Sequence, residues 1–236
     1  MIKGIRKFYS QISGPYELIN SIITLGLDSY WRKKAVRMIV KTGPTPGRFL
    51  DICSGTGQTA VMLSRHLPSA TQITAADFSL HMLKKAADKI HKKGIKNILL
   101  TLADAPNLPF EDNTFDTITI SFATRNLDAA PGHLLQSFRE FHRVLKPGGT
   151  FLNLETSQPP VKIIKILFHL YVKLTVAPVG KGISGSTGSY SYLSNSIRTF
   201  YPAKELSALL SDAGFAAVEY RNLLFGAAAL HISKKN

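Results

Sequence analysis

The chain has 236 residues, of which 44% are hydrophobic, and a formal net charge of +14 at pH 7. That length and composition suit one α/β domain with an ordinary core and exclude a disordered chain. The charge favours anionic partners such as nucleic acid or an anionic membrane surface, with a solvated lysine-rich surface as the alternative. The single cysteine, Cys53, excludes an intrachain disulfide and a cysteine metal cluster.

The basic opening MIKGIRKFYSQISG lacks the apolar core of a secretory signal. No uncharged apolar run of about 18 residues occurs, so a spanning helix is not expected and a cytoplasmic protein is. Over residues 1–42, Ile5, Phe8, Ile12, Tyr16, Ile19 and Ile23 recur at helical spacing. This lead-in ends at Gly43-Pro44-Thr45-Pro46-Gly47. RFLDIC (48–53) then reads as a buried strand, TAVMLSRHL (59–67) as a helix and TQITAAD (71–77) as a second strand. Ser79 is suited to cap a helix burying Met82, Leu83, Ala86, Ala87 and Ile90, with lysines outside.

NILLTL (97–102) and FDTITIS (115–121) continue the strands, and a helix carrying Leu134, Leu135, Phe138, Phe141 and Leu145 follows Pro131. Lys146-Pro147-Gly148-Gly149 ends it before a fifth strand, TFLNLET (150–156). Alternating strands and helices predict a mostly parallel sheet with crossover helices. Residues 157–200 interrupt that rhythm, and a helix after Pro202 with two strands, AAVEYRNL and GAAALHIS, closes the chain. The organisation expected is a single domain: a helical lid (1–42), a cofactor-binding half (43–156), an acceptor-side insertion (157–200) and a closing segment (201–236).

A G-x-G-x-x-G/A pattern fits Gly55, Gly57 and Ala60, with Asp77 beyond it at the spacing of a ribose-binding acid. Taken alone this describes a dinucleotide site. Asp51, on the strand itself, would repel a pyrophosphate but tolerates a cationic ligand. Asp104-Ala105, just past the third strand, is placed to meet an adenine edge. The LKPGG turn and the closing strand pair also differ from a dehydrogenase. S-adenosylmethionine, a nucleoside with a positively charged sulfonium, accounts for this acidic loop.

FLDICSGTGQ, ADFSLHML, ADAPNLPFEDNTFD, SFATRN, RVLKPGG, LETSQP, SYSYLSNSIR and DAGF…NLLFGAAALH together resemble the ubiquinone/menaquinone biosynthesis C-methyltransferases, a branch of the class I S-adenosylmethionine-dependent methyltransferases. The resemblance covers nearly the whole chain. It implies a Rossmann-like α/β fold, with a seven-stranded mostly parallel sheet, an antiparallel C-terminal hairpin and an N-terminal helical lid. By matching position, Gly55, Thr56 and Gly57 would line the methionine part of the cofactor and Asp77 would hold the ribose hydroxyls. Phe78 would pack near the adenine, Asp104 and Ala105 would meet its edge, and Ser121 would close the site. The chain departs from the family pattern at Gln58, where an acid is usual, at Phe8-Tyr9…Tyr16-Glu17 and at Ala123-Thr124.

The acceptor so implied is a prenylated quinol methylated at a ring carbon, a reaction that sharing a phenolic proton assists. Arg125-Asn126, after the fourth strand, is assigned to phenolate charge and to orienting the ring oxygen; a loop arginine beside a helix start is the alternative. Tyr190 and Tyr192 match the family's paired tyrosines and would bind the quinol or wall its pocket, unless they serve only packing. Tyr16 and Arg198 are weaker candidates as lid residues, and no histidine has the partner spacing of a metal ligand.

In residues 161–174 the polar Lys162, Lys165, His169 and Lys173 fall on one stripe beside a wide apolar arc. Either a core helix with one wet edge or a helix against a bilayer or prenyl tail has this pattern, and the basic charge favours peripheral contact with the inner face of a membrane. A second copy of the chain stays an open option. Other readings are a methyltransferase of another small hydrophobic acceptor and a non-catalytic cofactor-binding subunit. A nucleic-acid methyltransferase fits the apolar insertion poorly.

Overall fold

A computed structural model of the chain describes residues 16–42, 46–184 and 187–236; Ile5, Phe8, Tyr9, Ile12 and the side chain of Tyr16 lie outside the described residues. The alternating periods build one sheet from β1 (Arg48–Ile52), β2 (Gln72–Asp77), β3 (Ile98–Leu102), β4 (Phe115–Ser121), β5 (Leu145–Thr156), β6 (Ala216–Leu223) and β7 (Ala228–Lys234). The strand order is β3-β2-β1-β4-β5-β7-β6. β1 to β5 pair in parallel, whereas β7 runs antiparallel to β5 and to β6.

Around the sheet lie α1 (Tyr16–Ile23), α2 (Leu27–Thr42), α3 (Gln58–His66), α4 (Leu80–Lys92), α5 (Thr124–Leu127), α6 (His133–Val144), α7 (Lys162–Ser184), α8 (Thr187–Thr199) and α9 (Ala203–Asp212). Ser79 caps α4 as its sequence predicts, its hydroxyl accepting from the Met82 N–H at 3.3 Å.

Three elements differ from the expectation. The lead-in breaks into α1 and α2 at Leu25-Gly26, both of positive φ. β5 begins at Leu145 instead of Thr150, because Leu145 still pairs with Phe115 across a register shift. The apolar helix of the insertion runs on past residue 174 to Ser184, through Pro178, and SYSYLSNSIRT is itself helical in α8.

One core layer packs Phe138, Phe141, Phe151, Leu206, Leu210 and Phe215 together. The other packs α2 and α3 on the sheet through Trp31, Val36, Ile39, Leu63 and Leu230. A third, smaller cluster of Ile19, Ile23, Met82, Val172, Val176 and Tyr190 ties α1, α7 and α8 into a cap.

Candidate active site

A cleft of about 650 Å³ with its mouth opens at the carboxyl ends of β1 and β4. The strand order reverses there, and open α/β sheets bind their ligands at such a switch point. Two non-glycine residues just past these strands hold left-handed backbone, Cys53 (φ 52°) and Phe122 (φ 56°). Both wall the cleft, and conformations of this kind persist where the surrounding structure enforces them.

Of the residues expected at the site, Asp51, Gly55, Thr56, Asp77, Phe78, Ser121 and Asn126 line this cleft together. Gly57 stands behind them, at the start of α3. Its φ of 75° suits glycine, and a Cβ there would press on the Ala86 Cβ at 3.2 Å, so it also sets how closely α4 approaches. Asp104 borders a neighbouring recess that shares Asn126 and Leu127 with the cleft. Ala105 is buried in the core beneath.

The acids are fixed by backbone donors. Asp77 accepts from the Gly55 N–H and the Ser79 N–H, each at 2.8 Å, which ties the end of β2 to the glycine loop. Burial pushes its carboxyl up to about 6, with Asp104 adding to the push and the two N–H bonds opposing it. Asp51 accepts from the Thr119 hydroxyl at 2.8 Å and the Ala60 N–H at 3.1 Å. Burial pushes it up to about 7, against Thr119, Arg32 and Ala60. Burial also drives the Cys53 thiol well above its ordinary value, so it is no thiolate nucleophile.

Arg32 is a residue that sequence reasoning passed over, and Glu17 was singled out there only as a departure from the family pattern. Arg32 sits in the basic run 32–41, where nothing local separates it from its neighbours. In the fold it is buried in the cleft wall, donates to the Thr59 hydroxyl at 2.8 Å and lies 5.1 Å over the Phe122 ring. Glu17 of α1 accepts from the Thr56 hydroxyl and the Lys89 ammonium. Burial works to raise its carboxyl, but the bonds from Lys89, Thr56 and Gln58 outweigh it and hold it low. Glu17 thus pins α1 to the glycine loop beside Gln58.

Arg125 is buried against Glu155 of β5 instead of lining the cleft. Its Nη1 donates to Glu155 Oε1 at 2.7 Å and to the Phe122 carbonyl at 2.9 Å. Glu155 is the second residue missed, and its signal was legible: an acid inside the buried strand FLNLE has to find a partner. Tyr192 is within reach of the Arg125 charge; burial pushes its phenol up and Arg125 works against that. Tyr190 lies apart, buried in the cap cluster. A Cβ at Gly180 would stand 2.0 Å from its ring, so this glycine gives the Tyr190 ring its seat on α7.

The wall is therefore rich in acceptors, and Ser54 adds a buried hydroxyl with no hydrogen-bond partner among the described residues. Its cation, Arg32, is engaged by the Thr59 hydroxyl and stacks on Phe122. This donor set fits a hydroxyl-bearing, positively charged nucleoside and fits a pyrophosphate poorly. The sequence profile of the ubiE/COQ5 methyltransferase family matches residues 2–235. The chain belongs to that family. It is 36% identical over 229 residues to the ubiquinone/menaquinone biosynthesis C-methyltransferase UbiE of Desulfotalea psychrophila, covering 97% of this chain and 89% of that one. It is 37% identical over 232 residues to the demethylmenaquinone methyltransferase of Staphylococcus saprophyticus, covering 98% and 96%.

Solved structures share the fold at lower identity. YcgJ of Bacillus subtilis superimposes with a TM-score of 0.62 at 20% identity, over 86% of this chain and 99% of that one. A SAM-dependent methyltransferase of Aquifex aeolicus gives 0.59 at 20% identity, over 86% and 88%. The family's methyltransferase fold, with its reversal of strand order between β1 and β4, is the architecture described above.

Proposed function

We propose that this methyltransferase carries the methyl group of S-adenosylmethionine to a ring carbon of a prenylated quinol. The observation that carries the acceptor half of this reading is a second cavity. It measures about 1030 Å³ with its mouth and lies between α1, α2, α7 and the turn after β6. Its inner wall includes Trp31, whose ring is 6.1 Å from that of Phe122 in the cofactor cleft. Its wall is apolar apart from Thr24, Thr156 and Tyr171, and each of those hydroxyls already bonds to the protein. A polar ligand finds no partner there; an isoprenoid chain needs none.

Gly55, Thr56 and Gly57 with Asp51, Asp77, Phe78, Asp104, Ala105 and Ser121 form the cofactor side of this reading, Asp77 receiving the ribose hydroxyls. The cofactor supplies an electrophilic methyl; the chain's own task is to align the ring and make it nucleophilic. Asn126, on the wall of both recesses, orients the ring oxygen. Arg125, neutralised by Glu155, positions the Phe122–Asn126 turn and shares its charge with the Tyr192 region. Tyr190 serves the cap's packing.

The substrate reaches the site from a membrane surface in this reading. The first 19 residues of α7, Lys162–Gly180, are long and apolar enough to cross a membrane by length and composition, which the sequence expectation denied. The lysines lie to one side, however. Around the helix, at 100° per residue, come the Lys162, Lys165, His169 and Lys173 stripe, then exposed Ile163, Ile166, Leu170 and Leu174, then the cavity-lining Ile164, Leu167 and Tyr171. Such a helix suits the plane of the interface. The test is methyl transfer from labelled S-adenosylmethionine to a demethylated prenyl quinol in detergent, with the methyl position read by NMR. A ring-carbon methyl supports the reading. Bound cofactor with no product moves the acceptor elsewhere.

A further inference from the structure

On the far side of α7 from the apolar cavity lies a polar depression of about 730 Å³ with its mouth. Lys162 and Lys165 of α7 and Lys204 of α9 reach its wall, joined by Asn222 and Tyr220 of β6. No carboxylate lines it among the described residues. Alternation along β6 puts Tyr220 and Asn222 on the depression and turns Glu219 and Arg221 to the opposite face. Its floor, Gln158-Pro159-Pro160, is fixed: the Gln158 amide donates to the Ile197 carbonyl at 2.9 Å, and Gln158 Oε1 meets His169 Nε2 at 2.7 Å. The first turns of α7 and α9 both border the depression, and their partial positive charge adds to that of the lysines.

We infer that this depression receives the phosphate of an anionic phospholipid headgroup. The shared chemistry is a phosphate; the lipid source follows from what surrounds it. Val161, Ile163 and Ile166 stand exposed beside the lysines, and the exposed Leu224 and Phe225 follow Asn222 after the buried Leu223. A phosphate held between these flanks has its acyl chains over an apolar surface, where a free anion has none. The mouth of the apolar cavity, bounded by Leu25, Leu167, Leu224 and Phe225, then faces the same leaflet. Headgroup capture thereby sets the orientation in which a membrane-dissolved substrate enters. This inference rests on the membrane reading above and adds a specific anion site to it.

The test is flotation of the full chain with phosphatidylcholine vesicles, with and without phosphatidylglycerol. Wild type should bind the anionic vesicles preferentially. Lys162→Gln/Lys165→Gln/Lys204→Gln should lose more than about tenfold of that binding. A triple of equal charge change on α4 and its C-cap, Lys84→Gln/Lys92→Gln/Lys93→Gln, should lose far less. Equal losses in the two triples would mean diffuse basic charge and overturn the site. So would equal binding of wild type to both vesicle types, or full competition by millimolar inorganic phosphate at constant ionic strength. Methyl transfer to detergent-solubilised quinol, run on the same proteins, separates the two readings. Its absence in wild type would sink the acceptor assignment and leave the vesicle result to judge the headgroup site.

Discussion

The cofactor cleft and the cap treat burial in opposite ways. Around β1, β2 and α4, acids and hydroxyls are taken out of water and each carboxylate is held by backbone donors, as Asp77 is by Gly55 and Ser79. In the cap, large apolar side chains are left in water: Leu25 is 77% exposed, Phe225 73% and Leu174 62%. Buried polar groups are costly unless satisfied, and contiguous exposed apolar surface marks an interaction site. The cleft thus suits one small polar molecule, and the exposed apolar surface of the cap is what the proposed membrane contact would cover.

The sharpest way to break this comparison is at the seam, where Arg125 meets Glu155. Removing one partner leaves a buried charge without its counterion, which costs about 3–5 kcal/mol. Arg125→Ala should therefore lower the denaturation midpoint strongly, and Arg125→Met/Glu155→Leu should recover much of the loss. If Arg125→Ala unfolds like wild type but stops turnover, Arg125 acts on the substrate directly, as its place in the sequence suggested.

Within the cleft, Asp77→Ala should weaken S-adenosylmethionine binding by about 1.5–3 kcal/mol, the range of a hydrogen bond to a charged group. Its carboxyl titrates at about 6. Calorimetry should then show affinity for the cofactor held above that pH and falling as the pH drops through it, a dependence that Asp77→Asn removes. Asp51 gives the stability counterpart. Its folded value of about 7 lies above the ordinary carboxylate value of about 3.9. Its contribution to stability is therefore complete below that ordinary value and is lost as the pH rises through about 7. Asp51→Asn should flatten the slope between those limits.

In the cap, Phe225→Ser should leave cofactor affinity unchanged and weaken vesicle binding by about 1.5–3 kcal/mol, the worth of burying one aromatic side chain. An equal loss of cofactor affinity would show that the cap and the cleft are one unit.

The same contrast explains what could be read in advance. β1, α3 and the glycine loop follow from local pattern, because the turn at Gly55-Thr56-Gly57 and the period change at Gln58 are written in adjacent residues. Asp77 and Ser121 were legible as strand-end residues. Glu155 required noticing one acid in a buried strand. Arg32 was illegible and Glu17 legible only as a departure from the family pattern, since each meets the cleft through a tertiary contact with a segment 27 or 39 residues away. Tyr190 shows the same limit, because a paired-tyrosine motif does not reveal a glycine, Gly180, that seats one ring in the cap.

Glu17 offers the smallest and most discriminating test. Its contacts with Lys89 and Thr56 are partly exposed, so the pair should contribute no more than about 1 kcal/mol to stability. Glu17→Gln should barely move the unfolding midpoint. The contacts nonetheless bridge α1 and the loop that walls the cleft, and on the proposed reading a cofactor held there would leave as the bridge opens. Release of S-adenosylmethionine, followed by stopped-flow displacement, should accelerate several-fold in Glu17→Gln. In wild type it should accelerate with added salt, because a partly exposed ion pair is screened. Unchanged release in both experiments would make α1 a fixed wall of the cap, and the route to the cleft would then run through the apolar cavity alone.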